Sequence, residues 1–571
     1  MIRSLCESLL LRAMPLPQSD RLCKWGVTIS VALATVYYAL FIFQTSFVVN
    51  GERYFCLQDD EMISMRYARN LAQGFGLVWN PGGERVEGFT NPLWVLFMAA
   101  LHLLPIATSK ISLLVQIAGA GLLLLNLRLV AGLSRQVDSS RAVSLLAIVF
   151  TAFYLPLVNW ALQGMEVSIL ALLTNAYALF ALVTLKRGRP SLLLYAFMAL
   201  GTFVRVDMAV PCLAISAFLA MEDRRNRWRH VCLAAILLAG SFALQTGFRI
   251  FYFGDPLPNT YYLKLTGYPI ALRLSRGLYV FVKFIVQMGV VLFLVPFLDV
   301  LVRRDRAARL LVWIFASVAC YSVYVGGDAW EEWGGSNRYV SIAMPCFFVL
   351  LARALTDISR LAAAALTEPS ATAGAATPAY ARHGVYLILA VSALLSLNST
   401  RGAEALGEWA LRIRPIQTDV NQSNVELATL LKEITRPDAT VAVMMAGAIP
   451  YFLERPAIDL LGKADAHVAR LPMHRFHGLR SLIFFAPGHL KWDFEWSLGR
   501  LRPDVVVQVV GREEARPFLT RRYSEAHGYG DPIFLLRDST SVVWSRVSDR
   551  FARLEAEDAD SHVTESLPTL R

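Results

Sequence analysis

Apolar residues along this chain gather into long runs, broken by short connections that are charged or rich in Gly and Pro. The first run, residues 26–49, has no small-residue cleavage site after it, so it predicts a retained spanning helix and not a signal peptide. Further runs fall at 91–105, 111–133, 143–158, 169–185, 192–204, 208–221, 231–251, 278–301, 310–325, 340–355 and 385–397. They predict roughly eleven or twelve membrane segments, several of them shorter than the about 20 residues of a straight span. Beyond residue 397 the apolar density drops and the pattern changes. Strand-like runs at 440–445, 457–461, 504–510, 532–536 and 541–544 are separated by Gly/Pro turns, with an amphipathic helix at 423–434.

The expected architecture is therefore a polytopic α-helical membrane protein with a C-terminal soluble α/β domain. Residues 1–400 form the membrane domain, including a first outer loop at 50–92; residues 401–550 form the α/β domain. An Ala/Thr/Pro/Ser/Gly-rich linker at 362–383 lacks a packable face, and the polar tail, 551–571, is expected to be disordered.

Composition supports the membrane assignment: 56% of residues are hydrophobic, 17% are charged, and the mean hydropathy is +0.46. Charge adds orientation. Arg3, Arg12, Arg21 and Lys24 precede the first run and should hold the N-terminus in the cytoplasm. The basic connections at 186–189, 222–229 and 303–309 then also face the cytoplasm. Alternation puts the loops at 51–90, 205–207, 253–277 and 326–338 outside, together with the α/β domain. Two full crossings between residues 91 and 133 would break this alternation, so one of those segments is expected to be re-entrant or interfacial. The net charge of +11 arises largely from cytoplasmic arginines and suits contact with anionic lipid, not nucleic acid. The seven cysteines form no disulfide framework.

The outward loops carry the candidate chemistry. QDDEMISMRYARN opens the first loop with adjacent acids, Asp59 and Asp60, ahead of a helix-like stretch. At about 3.6 residues per turn, Asp59, Ile63, Arg66 and Asn70 share a stripe with Arg69 at its edge. Such a helix offers one group to take a proton from a hydroxyl and another to steady a departing phosphate. Two close acids also disfavour joint ionisation, which raises one pKa toward a useful range.

GFGLVWNPGGERVEGFTNPLW follows, with Asn80, Glu84, Arg85, Glu87 and Asn91 as donors and acceptors and Trp79, Phe89 and Trp94 as flat faces. This mixture suits a sugar beside a membrane surface. In FGDPLPNTYYLKLTG, Asn259 belongs to a rigid turn, and Lys264 beside Tyr261 and Tyr262 is placed to meet an anionic lipid headgroup. GGDAWEEWGGSNRY supplies Asp328, Glu331, Glu332 and Arg338, the last suited to bidentate phosphate binding. Gln163–Glu166 and Arg205–Asp207 are shorter outward sites; an Arg and an Asp near membrane depth imply function or mutual pairing. The α/β domain contributes IDLLGKADAHVAR and PGHLKWD, with His467, His474, His477 and His489 in this region and Lys491 beside the last. A divalent cation is compatible with this cluster. No helical zinc-binding spacing appears, so sugar contacts by His489 and Lys491 are expected and no metal ligand is assigned.

In their order along about residues 59–493, DDEMISMRYARNLAQGFGLVWNPGGERVEGFTNPLW, PNTYYLK, GGDAW with Arg338, DLLGKADAHVAR and PGHLKWD together resemble the GT-C superfamily of polyprenyl-phosphate-sugar-dependent glycosyltransferases. Within it the chain is most similar to bacterial arabinofuranosyltransferases of the mycobacterial AftB type and to related pilin-glycosylating membrane enzymes. The resemblance implies a GT-C membrane fold in the inner membrane, with the active site and the α/β domain on its outer face. It also implies a lipid-linked donor, polyprenyl-phosphate arabinose, and as acceptor a surface glycan or a protein such as pilin. By position, the acid opening the first loop falls on Asp59 or Asp60, with Asp59 favoured as general base. Arg66, Arg69, Lys264 and Arg338 are the expected phosphate contacts. Asn80, Glu87, Asn91, Asn259, Tyr261, Asp328, His489 and Lys491 are the expected sugar or acceptor contacts.

Two other classes fit less well. A transporter or flippase of lipid-linked sugars calls for polar residues at mid-membrane and related halves, whereas here acids collect in outer loops and no repeat is visible. A non-catalytic scaffold needs neither the Asp pair nor cations spread over several loops.

Overall fold

The computed structural model describes residues 20–328, 331, 337–365, 379–474, 485–527 and 532–548; the tail at 551–571 and most of the linker lie outside them. Every apolar run becomes helical, but in unequal lengths. Among the described residues five helices, Trp25–Gln44, Thr108–Val137, Val167–Arg187, Arg224–Phe253 and Arg306–Val325, are long and apolar enough to cross a membrane. Three bent pairs raise this to as many as eight spans, fewer than the eleven or twelve expected from runs alone. The sharp bend of 95° between Ile270–Met288 and Val290–Arg303 sits at Gly289, whose φ of 99° is open to a residue without Cβ.

The difference in count lies in the shorter runs. Pro92–His102 and Leu192–Val204 are apolar helices of 11 and 13 residues. At 1.5 Å per residue the former rises only about 16 Å, half the roughly 30 Å hydrocarbon thickness. Of the two segments between residues 91 and 133, it is the one too short to cross.

At one end of the bundle, charges pair with each other. Arg353 meets Asp299 and Asp305, each at 2.6 Å, while Glu222 joins Arg306 and Arg309, each at 2.9 Å. These pairs bind the basic connections together and leave the opposite end to the loops.

The first loop folds before it reaches the membrane again. A hairpin of β1 (Ser46–Val49) and β2 (Glu52–Phe55) leads to the helix Asp59–Ala72. Three acids in that helix's first turn and Arg69 in its last match the helix dipole. The C-terminal region is a five-stranded sheet in the order β4-β3-β5-β7-β6. Here β3 is Val441–Val443, β4 Ala457–Asp459, β5 Val505–Val506, β6 Tyr523–His527 and β7 Pro532–Leu536. The strands β4, β3 and β5 run parallel; β7 pairs antiparallel with β5 and with β6. The helix Thr418–Ile434 begins earlier than its amphipathic pattern implied. The strand expected at 541–544 is reduced to a single bridge, Thr435 with Val542. The edge strand β6 has the polar sequence YSEAH, which carries no apolar alternation to reveal it.

One hydrophobic core joins the first loop to this sheet. Met62, Met65 and Ala68 pack in the same cluster as Val441, Ile449, Tyr451, Val505 and Leu535. The α/β region is thus docked on the helix Asp59–Ala72 and fixes what that helix can present to the membrane helices.

Candidate functional site

The helix Asp59–Ala72 has two working faces. Toward the α/β region, Asp59 Oδ1 accepts a hydrogen bond from the Ala448 amide at 2.8 Å. The approach is tight enough that a Cβ on Gly447 would run into the Asp59 backbone. Arg66 donates to the Trp79 carbonyl at 2.6 Å, to Asn80 at 2.8 Å and to the carbonyls of Arg455, at 2.9 Å, and Pro450. Arg69 donates to the Tyr451 carbonyl at 2.6 Å. Arg66 and Arg69, the expected phosphate contacts, are thus engaged by the carbonyls of Trp79, Pro450, Tyr451 and Arg455 and by Asn80, and neither lines the cavity on the helix's other face.

The other face opens on a cavity of about 500 Å³. Asp60, Glu61, Ile63 and Ser64 line it, and of the stripe that carries Asp59 only Ile63 is among them. Lys463 stands 3.4 Å from Asp60 Oδ1, and Arg338 Nη1 stands 3.5 Å from Oδ2. The Arg338 Nε also meets Asp328 at 3.0 Å. Lys264 completes the group; among the described residues it makes no hydrogen bond or ion pair. Gly488, at φ +90°, lets the loop carrying His489 lie against Lys264, since a Cβ there would come 3.0 Å from Lys264 Cε.

This arrangement sets opposite protonation tendencies on adjacent acids. Burial raises the pKa of Asp59, only partly offset by Lys463 and the Ala448 amide. Burial acts on Asp60 in the same direction, but Lys463, Lys264 and Arg338 outweigh it and hold its carboxyl well below the usual range. Lys264 is lowered to about 8 by burial, with Arg338 and Lys463 adding to the effect. His489 is lowered to about 3 by burial and by Lys463, so it is neutral at physiological pH.

A second polar cluster lies deeper. Asn91 Nδ2 bridges Glu61 and Glu166, each at 3.1 Å, and Arg205 pairs with Glu166 at 2.6 Å and Asp207 at 2.9 Å. Burial, then the neighbouring Glu166, pushes the Glu61 pKa well up. The mutual pairing expected of Arg205 and Asp207 is present. Between the two clusters the wall is apolar, built by Val206, Val210, Phe242, Leu265 and Val325.

Of the residues expected as catalytic, phosphate, sugar or acceptor contacts, Asp60, Asn91, Tyr261, Lys264, Asp328, Arg338 and His489 line this one cavity. The others do not, and each has a structural partner. Asn80 binds both backbone groups of Ala457, at 2.8 and 3.0 Å. Glu87 pairs with Arg249 at 2.7 Å. The Asn259 amide donates to the carbonyls of Gly462 and Lys463 at 2.9 and 3.1 Å. Lys491 is wholly buried and donates to three carbonyls, those of Tyr262, Thr266 and Ala469. None of these four expected sugar or acceptor contacts is in the cavity lining. Sequence reasoning missed Glu61, Arg249 and Lys463; a lysine inside the apolar run LLGKA was the available signal for the last. Among the described residues no group of three or more His, Cys, Asp or Glu could hold a metal ion.

Residues 412–551 match a family described as a domain of unknown function, DUF8728. No curated protein sequence matches the chain. Solved structures do. ArnT from Cupriavidus metallidurans bound to undecaprenyl phosphate is 14% identical with a TM-score of 0.52, covering 89% of this chain and 97% of its own. The apo state of the same protein gives 15% identity and a TM-score of 0.53 over the same shares. The Archaeoglobus fulgidus oligosaccharyltransferase in the apo form gives 11% and 0.53, covering 90% of this chain and 74% of its own. The shared architecture is the GT-C fold, and this chain is a polytopic helical membrane protein of that fold.

Proposed function

We propose that the protein is a membrane glycosyltransferase that moves a sugar from a polyprenyl-phosphate donor to an acceptor hydroxyl, with inversion and with Asp60 as the base. One observation carries this reading: a single cavity joins an ionised carboxylate, a lysine without an ion-pair partner among the described residues and a buried arginine to an apolar wall of membrane helices. That combination fits an amphiphile with an anionic head. The neighbour of the same fold with undecaprenyl phosphate bound supports the same ligand class.

In the step proposed, the acceptor O–H gives its proton to Asp60 while its oxygen attacks the anomeric carbon. The bond from that carbon to the phosphate oxygen breaks, and polyprenyl phosphate departs with the electron pair. Lys264 and Arg338 stabilise the phosphate charge that develops, a role preorganised cations fill well in a dry cavity. His489, Tyr261 and Asn91 offer neutral contacts to the sugar or the acceptor. Glu61 and Glu166 border the same space. Asp59, the base favoured from sequence, faces the α/β region, so the assignment moves one residue along.

The sugar is read as a pentose, arabinofuranose first, and the acceptor as a surface glycan or pilin, both on the resemblance of the motifs. The same resemblance and the charge pattern support the inner membrane, with the cavity on its outer face. The test uses polyprenyl-phosphate [¹⁴C]arabinofuranose and membranes holding the full-length protein. Asp60→Asn should lower transfer by about 10²–10⁴-fold, and donor turnover at the parental rate by the variant would remove Asp60 from the mechanism. Release of label without polyprenyl phosphate would remove the reading as a whole.

A further inference from the structure

Among the described residues, Lys463 is the one lysine or arginine in the cavity contributed from beyond residue 400. Its path there is built at several points. At the end of β4 the Asp459 carboxylate accepts from the amides of Leu461, at 2.9 Å, and Ala464, at 2.7 Å, folding the chain into a tight turn. Gly462 occupies that turn at φ +81°, where a Cβ would approach the Ala469 amide to 2.8 Å. From the membrane side, Asn259 grips the carbonyls of Gly462 and Lys463. Gly88 closes on the Lys463 carbonyl so nearly that a Cβ would lie 3.0 Å away. With its backbone held on both sides, Lys463 sends a buried side chain to Asp60 Oδ1 at 3.4 Å.

We propose that Lys463 is a positioning residue of the transfer reaction: it fixes and neutralises Asp60, so that the C-terminal α/β region completes the donor-phosphate site. The proposal rests on the glycosyltransferase reading of the cavity. The charge balance explains the need. In the group around Asp60, Lys264, Arg338 and Lys463 stand against Asp60 and Asp328, one positive charge in excess for an entering phosphate, while Arg205 and Arg249, also in the lining, are paired with Glu166 and Asp207 and with Glu87. Without Lys463 the excess is gone, and the phosphate meets a carboxylate whose remaining near cation, Arg338, is shared with Asp328. The other groups felt by or adjoining Asp60 are Lys264, neutral His489, and its chain neighbours Asp59 and Glu61.

The test uses the full-length protein in lipid nanodiscs with undecaprenyl phosphate as probe, its Kd measured between about pH 5 and 8 and expressed relative to the parent at each pH, which cancels the titration of the probe. For Lys463→Met, binding should weaken about tenfold or more at the alkaline end. It should recover as the pH falls, because Asp60, freed of one cation, now binds a proton within the range. Lys463→Arg should stay near the parent, and the double variant D60N/K463M should lose the pH dependence. A loss that is equal at every pH, or no loss, overturns the proposal. Should Lys463→Met not fold, Asn259→Ala carries the same prediction in weaker form, and parental binding at every pH in that variant counts against the proposal. If the parent binds no undecaprenyl phosphate, the glycosyltransferase reading fails instead. The contact is then read separately from the infrared carboxyl band that Asp60→Asn removes, which must appear at higher pH in Lys463→Met than in the parent for the positioning role to stand.

Discussion

The two faces of the Asp59–Ala72 helix handle buried charge in different ways. Asp59, Arg66 and Arg69 meet backbone amides and carbonyls of the α/β region, whose positions are fixed by the fold. Asp60 meets side chains, Lys463 and Arg338, at the cavity, with Lys264 also near enough to lower its pKa. Charges met by backbone serve the fold, although Asp59 keeps its Oδ2 buried without a hydrogen-bond partner among the described residues. Charges balanced by other side chains can exchange partners when a ligand arrives. Adjacent acids of the same type therefore differ in role because a helix turns about 100° between them.

The largest expected effect divides that pair. Asp60→Asn should cost transfer by orders of magnitude while leaving the thermal melt close to the parent; Asp59→Asn should do the reverse, lowering the melting temperature and retaining most of the rate. Equal loss of rate in both would break the distinction between the faces. Next comes Arg66→Ala, which removes the bonds to the carbonyls of Trp79, Pro450 and Arg455 and to Asn80. A destabilisation of about 3 kcal/mol or more is expected from several lost charge-assisted bonds, read by thermal unfolding in detergent, with undecaprenyl phosphate affinity of the surviving folded fraction unchanged.

How much of this was open to sequence reading follows the range of the interactions. The apolar runs located the helices, and the short apolar run PIFLL between turn residues placed β7 at Pro532–Leu536, because both signals are local. The helical stripe of Asp59, Ile63, Arg66 and Asn70 was also a local signal and a true one, but its partner was not. Arg66 is held by residues nearly four hundred positions away, through carbonyls that every residue type possesses. The partners of Asn259 and Lys491 were hidden for the same reason. Nothing in PNTYYLK or PGHLKWD says that the amide of one and the ammonium of the other end on backbone oxygens of distant turns. Lys264 and Arg338, whose partners are side chains or none, were legible from the loops alone.

A smaller effect sharpens the cavity side. Lys264→Met should weaken undecaprenyl phosphate binding by roughly tenfold, the scale of one charge-assisted contact, and a calorimetric titration at neutral pH reads it. The least effect is the pH dependence of the parent. Lys264 is a cation below about 8 and loses its charge as the pH rises through that value, so affinity should decline by a few-fold on the alkaline side. Lys264→Arg should keep binding flat over the same range, because arginine stays charged there. A decline that persists in the arginine variant would assign the titration to another group.

The most direct test of the cavity is a cryo-electron microscopy structure of the protein in nanodiscs with undecaprenyl phosphate. The phosphate is predicted within hydrogen-bonding distance of Lys264 and Arg338, with the first prenyl units along Val206, Val210 and Phe242. A phosphate seated elsewhere, with Lys264 still without an anionic partner, would contradict the account.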